Sequence, residues 1–283
     1  MDSADRALAW RTRHGDWAGR VEDDALLRGK GSYGDDVRPE HAAAAVFVRS
    51  PHAHARITSI DTTEAAGMSG VIAVITAKSL EGADLRSITE AVPFPGRNGT
   101  MPVSPQRPAL AGDRAMHVGQ PVAIVIAETE LQAQDAAEKV VIEYDPLDTA
   151  IETRKAGTGS PLLWPNAPGN TALDWTAPED PDGVVRKAID AAFASAAHVA
   201  RVTLLNQRIA AVSMEPRTAT ASYDTASGGY TLRCGTQGVA GIRHQTAMAM
   251  KLGDEKLRVL SDDVGGGLAA GNGKDLGRVR LDH

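Results

Sequence analysis

The sequence has a single cysteine, Cys234, in 283 residues. One thiol excludes an internal disulfide framework, a zinc site of several thiolates and a protein-held iron–sulfur cluster. It also points to a reducing compartment, the cytoplasm. Long apolar runs are missing too. No stretch approaches the ~20 apolar residues of a membrane helix, and runs such as 122–127 have the length of a strand. The opening Met1-Asp2-Ser3-Ala4-Asp5-Arg6 lacks the apolar core of a secretory signal. An excess of basic charge is absent: the formal net charge is −6, which argues against a nucleic-acid binder. What remains is an ordinary soluble composition, 42% hydrophobic and 23% charged, which excludes a disordered chain or a fibrous repeat. The length corresponds to roughly two domains.

The pattern along the chain predicts an α+β protein. Residues 1–19 read as a polar surface arm. Strands are expected over 43–48, 55–61, 70–76, 121–127 and 140–144, with short helices over 62–67 and 130–139. Residues 81–112, rich in Pro, Gly, Arg and Ser, read as a long loop of the kind that is functional or disordered. Residues 151–182, with five prolines, read as a linker between domains. Beyond it, 184–197 suits an amphipathic helix, 199–205 a strand, 219–223 and 230–234 a hairpin, 241–250 a helix and 256–260 a last strand running into glycines.

Individual motifs carry little alone. Gly29-Lys30-Gly31-Ser32-Tyr33-Gly34 fits G-x-G-x-x-G, but Pro39 follows and no helix opens, so a glycine turn is expected rather than a dinucleotide loop. Val264-Gly265-Gly266-Gly267 follows a strand directly. Bare backbone N–H groups there suit close approach to an anion, and a plain turn fits the spacing equally well. The Walker pattern is excluded by Asp275 after Gly273-Lys274. His52 and His54 would share one face of a strand, yet no third ligand is placed beside them, so ordinary hydrogen bonds are expected. Glu215 beside Arg217 reads as a structural ion pair sooner than a catalytic carboxylate, and Cys234 as a structural thiol. Gln237, between a strand and a helix, has an amide able to hold a ligand or cap the turn.

Taken in order, these segments resemble one family. Arg20-Val21-Glu22-Asp23 with Gly29, Gly31, Tyr33 and Asp35-Asp36, then Phe47-Val48-Arg49-Ser50-Pro51-His52-Ala53-His54-Ala55, Val118-Gly119-Gln120-Pro121-Val122-Ala123 and the segment 140–147 carry the first half of the resemblance. Asn170-Thr171-Ala172, Met214-Glu215-Pro216-Arg217, Thr236-Gln237-Gly238 and Asp263-Val264-Gly265-Gly266-Gly267 carry the second. The chain is similar to the N-terminal portion of the large, molybdopterin-binding subunit of the xanthine dehydrogenase / aldehyde oxidase / aerobic carbon monoxide dehydrogenase family. The resemblance implies an α/β-hammerhead domain over 20–150 and the beginning of a first molybdopterin-binding domain over 183–268.

In such enzymes the glutamine of the T-Q-G segment and the glycine-rich loop approach the molybdenum centre. Those roles fall on Gln237 and Gly238 and on Gly265, Gly266, Gly267 and Leu268. The implied chemistry is molybdenum hydroxylation with oxygen from water. FAD and 2Fe-2S clusters are expected on separate medium and small partner subunits, beside a small-molecule substrate. The departures are also informative. Leu268-Ala269 replaces the family's Phe-Gly, residues 269–283 form a divergent tail, and the region bearing the catalytic glutamate has no counterpart here. No residue is assigned a catalytic or metal-ligand role, and no activity is expected of the chain alone. The alternative is a truncated, frameshifted or split-gene piece acting as a subunit-interaction module.

Overall fold

A computed structural model describes residues 22–87, 94–158, 161–175, 180, 182–206, 215–265 and 278–282, the last as a backbone path. The N-terminal arm therefore lies wholly outside the described residues. So do Met214, Gly266, Gly267, Leu268 and most of the tail.

After a short helix α1 (Asp23–Leu27), the strands β1 (Ala43–Arg49), β2 (Ala55–Asp61) and β3 (Val71–Thr76) follow, with α2 (Thr63–Ala66) between the last two. Then come β4 (Arg114–Ala115), β5 (Pro121–Ala127), α3 (Glu130–Ala137) and β6 (Val141–Pro146). The β-branched, alternating runs of the sequence thus form strands, as their side-chain shape favours. Thr129 caps α3, its side chain accepting from the Gln132 N–H, and so fixes where the helix starts. Gly70 turns the chain into β3 at φ +80, and a Cβ there would strike the Gln132 amide.

The sheet order is β3-β5-β1, all antiparallel, with β5 central. Alternate residues of β5 serve two cores. Ala123 and Val125 pack with Ala136 of α3 and with Ala65 and Val140. On the other face Val122 packs with Ile57 and Ala111, under the three-stranded sheet β4-β2-β6. Alanines at 123, 133 and 136 are fully buried, which lets the helix lie close on the sheet.

The second half adds α4 (Val184–Ser195), β7 (Thr218–Asp224), β8 (Gly229–Cys234), α5 (Val239–Met250), β9 (Leu257–Leu260) and β10 (Arg278–Asp282). These strands extend the first sheet to seven, in the order β3-β5-β1-β10-β7-β8-β9. β10 bridges the halves, antiparallel to β1 and parallel to β7. The tail is expected to be divergent with no strand assigned, yet its alternating Arg278-Val279-Arg280-Leu281-Asp282 forms one.

Two local expectations are corrected. Residues 199–205 form no strand. No neighbouring strand is available to them among the described residues, and Val202, Leu204 and Leu205 are 77–85% exposed. His52 and His54 sit in bends ahead of β2, not on a strand. His54 is buried and its Nδ1 pairs with the Asp148 carbonyl at 2.7 Å, while His52 packs its ring on Tyr144. The long loop and the linker hold each other. Arg97 N–H donates to Asp174 O and Val103 N–H to Ala172 O. The Asn170 amide donates to Ala156 O and Pro161 O and accepts from Leu163 N–H.

Candidate cofactor-binding site

Strand pairing decides which segments meet. β8 and β9 are parallel, with Arg233 opposite Leu260, so both chains leave the sheet at the same end. β7 is antiparallel to β8, with Ala219 opposite Cys234, so β7 enters the sheet at that same end. The residues just before β7 (Glu215-Pro216-Arg217), just after β8 (Gly235-Thr236-Gln237-Gly238) and just after β9 (Asp262-Asp263-Val264-Gly265) are therefore neighbours. The carboxyl ends of parallel strands are where open α/β sheets bind ligands.

Hydrogen bonds fix the cluster. The Ser261 hydroxyl accepts from Thr236 N–H and donates to Thr236 O, both at 3.2 Å, tying the β8 exit to the β9 exit. The Thr236 hydroxyl accepts from Gly238 N–H at 3.1 Å, folding the turn that starts α5. Arg233 pairs with Asp262 through one guanidinium nitrogen, with both groups about one-quarter exposed. Glu215 Oε2 accepts from Gly265 N–H.

The first half reaches the same place. Ser32 N–H donates to Asp263 Oδ2 at 2.8 Å, and Asp263 N–H donates to Ser32 O at 2.9 Å. Gly34 abuts Thr218, whose hydroxyl would collide with any Cβ at that position. The G-x-G-x-x-G segment is thus a turn, as its missing helix implies, and Gly31 and Gly34 serve close docking against the candidate site, whereas Gly29 meets nothing and serves the turn through its positive φ. Sequence reasoning did not pair Ser32 with Asp263. Both lie in recognisable motifs, but no local signal joins residues so far apart in the chain.

Of the six residues assigned to cofactor contact, Gln237, Gly238 and Gly265 come together at this end and are exposed. Gly266, Gly267 and Leu268 lie outside the described residues. The Gln237 side chain makes no hydrogen bond among the described residues, so its amide is available to donate and accept. Gly238 is the N-cap of α5 and offers no side-chain cap, and the first turn carries no acidic residue. That leaves amide N–H groups and the positive end of a 12-residue helix beside Gln237. The Gln237 amide, unbonded among the described residues, and the first-turn N–H groups of α5 fit an oxo-metal centre with an anionic pterin, while the Gly238 and Gly265 N–H groups are engaged by Thr236 and Glu215. Among the described residues no group of three or more His, Cys, Asp or Glu could hold a metal directly. Cys234, at the end of β8, has its thiol pKa pushed up by burial, which keeps it protonated.

Comparison with known proteins shows the family. Residues 28–148 match the model of the aldehyde oxidase and xanthine dehydrogenase a/b hammerhead domain, and residues 166–268 match a molybdopterin cofactor-binding domain. The chain is 32% identical over 252 residues to the nicotine 6-hydroxylase large subunit of Paenarthrobacter nicotinovorans, covering 88% of this chain and 29% of that protein. It is 32% identical over 255 residues to the carbon monoxide dehydrogenase large chain of Afipia carboxidovorans, covering 88% and 30%. Quinoline 2-oxidoreductase from Pseudomonas putida 86 superposes with a TM-score of 0.75 at 26% identity, over 94% of this chain and 34% of that one. The chain thus spans about 30% of the length of the curated relatives it matches. Among the described residues no helix is long and apolar enough to cross a membrane. The chain belongs to the family of molybdopterin-binding large subunits of the xanthine dehydrogenase, aldehyde oxidase and carbon monoxide dehydrogenase type, of which it carries the α/β-hammerhead domain and the start of the molybdopterin-binding domain.

Proposed function

We propose that this chain forms one wall of the molybdenum–pterin site in the large subunit of a cytoplasmic molybdenum hydroxylase, an oxidoreductase that draws its oxygen from water. The observation that carries the reading is the convergence of Glu215, Gln237 and Gly265 at one end of the seven-stranded sheet, beside the start of α5. When bound, the molybdenum–pterin group would supply the two-electron oxidation of the substrate. The chain's own part is to bind and orient. The Gln237 amide would donate to an oxygen of the group, and backbone N–H groups in the first turn of α5 and along Gly266, Gly267 and Leu268 would meet its anionic parts, while the Gly238 and Gly265 N–H groups are held by Thr236 and Glu215. The turn at Gly31 to Gly34 braces this wall from behind through Asp263.

No side chain here is assigned as the catalytic base. Turnover therefore requires further polypeptide, and the isolated chain is inactive. FAD and 2Fe-2S centres are assigned to partner subunits by the family resemblance, and the single cysteine supplies no ligand set for a cluster within these residues. A small molecule is the substrate.

The reading is tested by tagging the chain in its own cells. Recovered protein should carry molybdenum and pterin together with flavin- and iron–sulfur-bearing subunits. The recombinant chain alone should not reduce dye with an aldehyde, a purine or carbon monoxide. Recovered protein free of both molybdenum and pterin would refute the assignment. A second reading is a split or remnant piece that acts only in subunit interaction. It is favoured by the family match stopping at residue 268 while β10, beyond that point, lies between β1 and β7. The downstream DNA decides: a resumed frame encoding the remaining domains just after codon 268 favours the remnant.

A further inference from the structure

Glu215 stands just ahead of β7 and reaches into the space between the other two segments. Its Oε2 accepts from Gly265 N–H at 2.5 Å. A Cβ built on Gly265 would lie 2.9 Å from that oxygen and 3.0 Å from the Glu215 Cβ. A Cβ built on Gly235 would lie 3.1 Å from the other oxygen, Oε1. One side chain thus occupies the room left by two glycines on separate strand exits. The register of β8 and β9 ends at Arg233 and Leu260, so strand pairing no longer fixes the spacing of these exits. Ser261 ties them at Thr236, and Glu215 ties the next step outward.

We propose that Glu215 is a positioning residue whose carboxylate sets the spacing between the Gly235-to-Gly238 turn and Gly265. The Gln237 amide is thereby held at a fixed place beside the β9 exit. What the two segments hold rests on the function proposed above; the wedge itself does not. Gln at 215 keeps the length and an acceptor oxygen. Asp is one methylene short and Ala has no acceptor, so both release the Gly265 amide.

The test uses the full chain, isotopically labelled, with Glu215→Gln, Glu215→Asp and Glu215→Ala. Exchange of the Gly265 amide should quicken about tenfold in the Ala and Asp variants, the factor for one hydrogen bond to a charged group, and stay near wild type with Gln. Gly265→Ala should lower the melting temperature through its collision with Glu215. Part of that loss should vanish in the Gly265→Ala, Glu215→Ala double variant, a non-additivity expected of touching residues. In chain recovered from its own cells, pterin content should fall with Asp and Ala and recover with Gln. An unchanged Gly265 amide in the Asp and Ala variants, or strict additivity in the cycle, overturns the proposal. Should wild-type protein carry no pterin, the proposed function fails, and the amide and the cycle still decide the role of Glu215. If the Ala variant does not fold, the Gln and Asp pair carries the amide comparison.

Discussion

Asp263→Ala would detach the brace between the first half and the candidate site. In the native protein Asp263 Oδ2 accepts from Ser32 N–H at 2.8 Å, in a partly buried contact, and its own N–H donates to Ser32 O. The substitution removes only the first bond, since the backbone bond survives. A hydrogen bond to a charged acceptor contributes about 1.5–3 kcal/mol, and partial solvent access argues for the lower end, about 1.5 kcal/mol. The loss is local because the segment leads into the exposed residues Arg28 to Lys30, not into a core. Opening of this turn should therefore rise about tenfold, as 1.4 kcal/mol corresponds to a factor of ten. Trypsin reads this directly, with cleavage after Arg28 and Lys30 followed by mass spectrometry under conditions where opening is fast relative to cutting. Asn at 263 keeps an acceptor and should give a smaller rise. Equal cleavage rates for wild type and Asp263→Ala would refute the brace and, with it, the argument that the glycine segment docks on this end of the sheet.

Other outcomes follow from the same contacts. Val125→Ala, at a fully buried position packed against α3, should lower unfolding stability by about 2–3 kcal/mol in a denaturant titration. Gly34→Ala should destabilise by about 1–3 kcal/mol because its Cβ meets the Thr218 hydroxyl, and Thr218→Ala should restore part of the loss in the double variant. Lys251 pairs with Asp84 and holds its carboxyl below the usual range, first through a side-chain hydrogen bond and then through charge. A depressed carboxylate contributes above its unfolded pKa and is lost as pH falls through the folded value. The protection of the neighbouring Arg86 N–H, which donates to Ala249 O, taken relative to its intrinsic exchange rate at each pH, should therefore fall in acid, and Asp84→Asn should remove that fall. Gln237→Leu, at an exposed position, should leave stability within about 0.5 kcal/mol of wild type.

Most strands were legible because their periodicity is local. β1, β2, β3 and β5 each carry a β-branched or alternating run, and the hairpin of β7 and β8 surrounds a glycine turn. The stretch 199–205 has the same alternation and forms no strand, since a strand needs a neighbour and periodicity does not supply one. β10 shows the converse: Arg278-Val279-Arg280-Leu281-Asp282 alternates polar and apolar residues over only five positions, and it becomes a strand because β1 and β7 flank it. The site was legible as separate motifs. Thr236-Gln237-Gly238 and the glycine run each stood out, but their meeting depends on the parallel register of β8 and β9, a long-range property. The contacts of Glu215 with Gly265 and of Ser32 with Asp263 depend on the same register.

The central claim is that this end of the sheet holds part of a molybdenum–pterin site. The most direct measurement is the pterin content of the tagged chain recovered from its own cells, read as fluorescence after oxidative release, for wild type and for Gln237→Leu. The account predicts pterin together with molybdenum in the wild-type protein and a clear loss of pterin in the variant at unchanged stability. Wild-type protein without pterin, or a variant that retains all of it, would contradict the account.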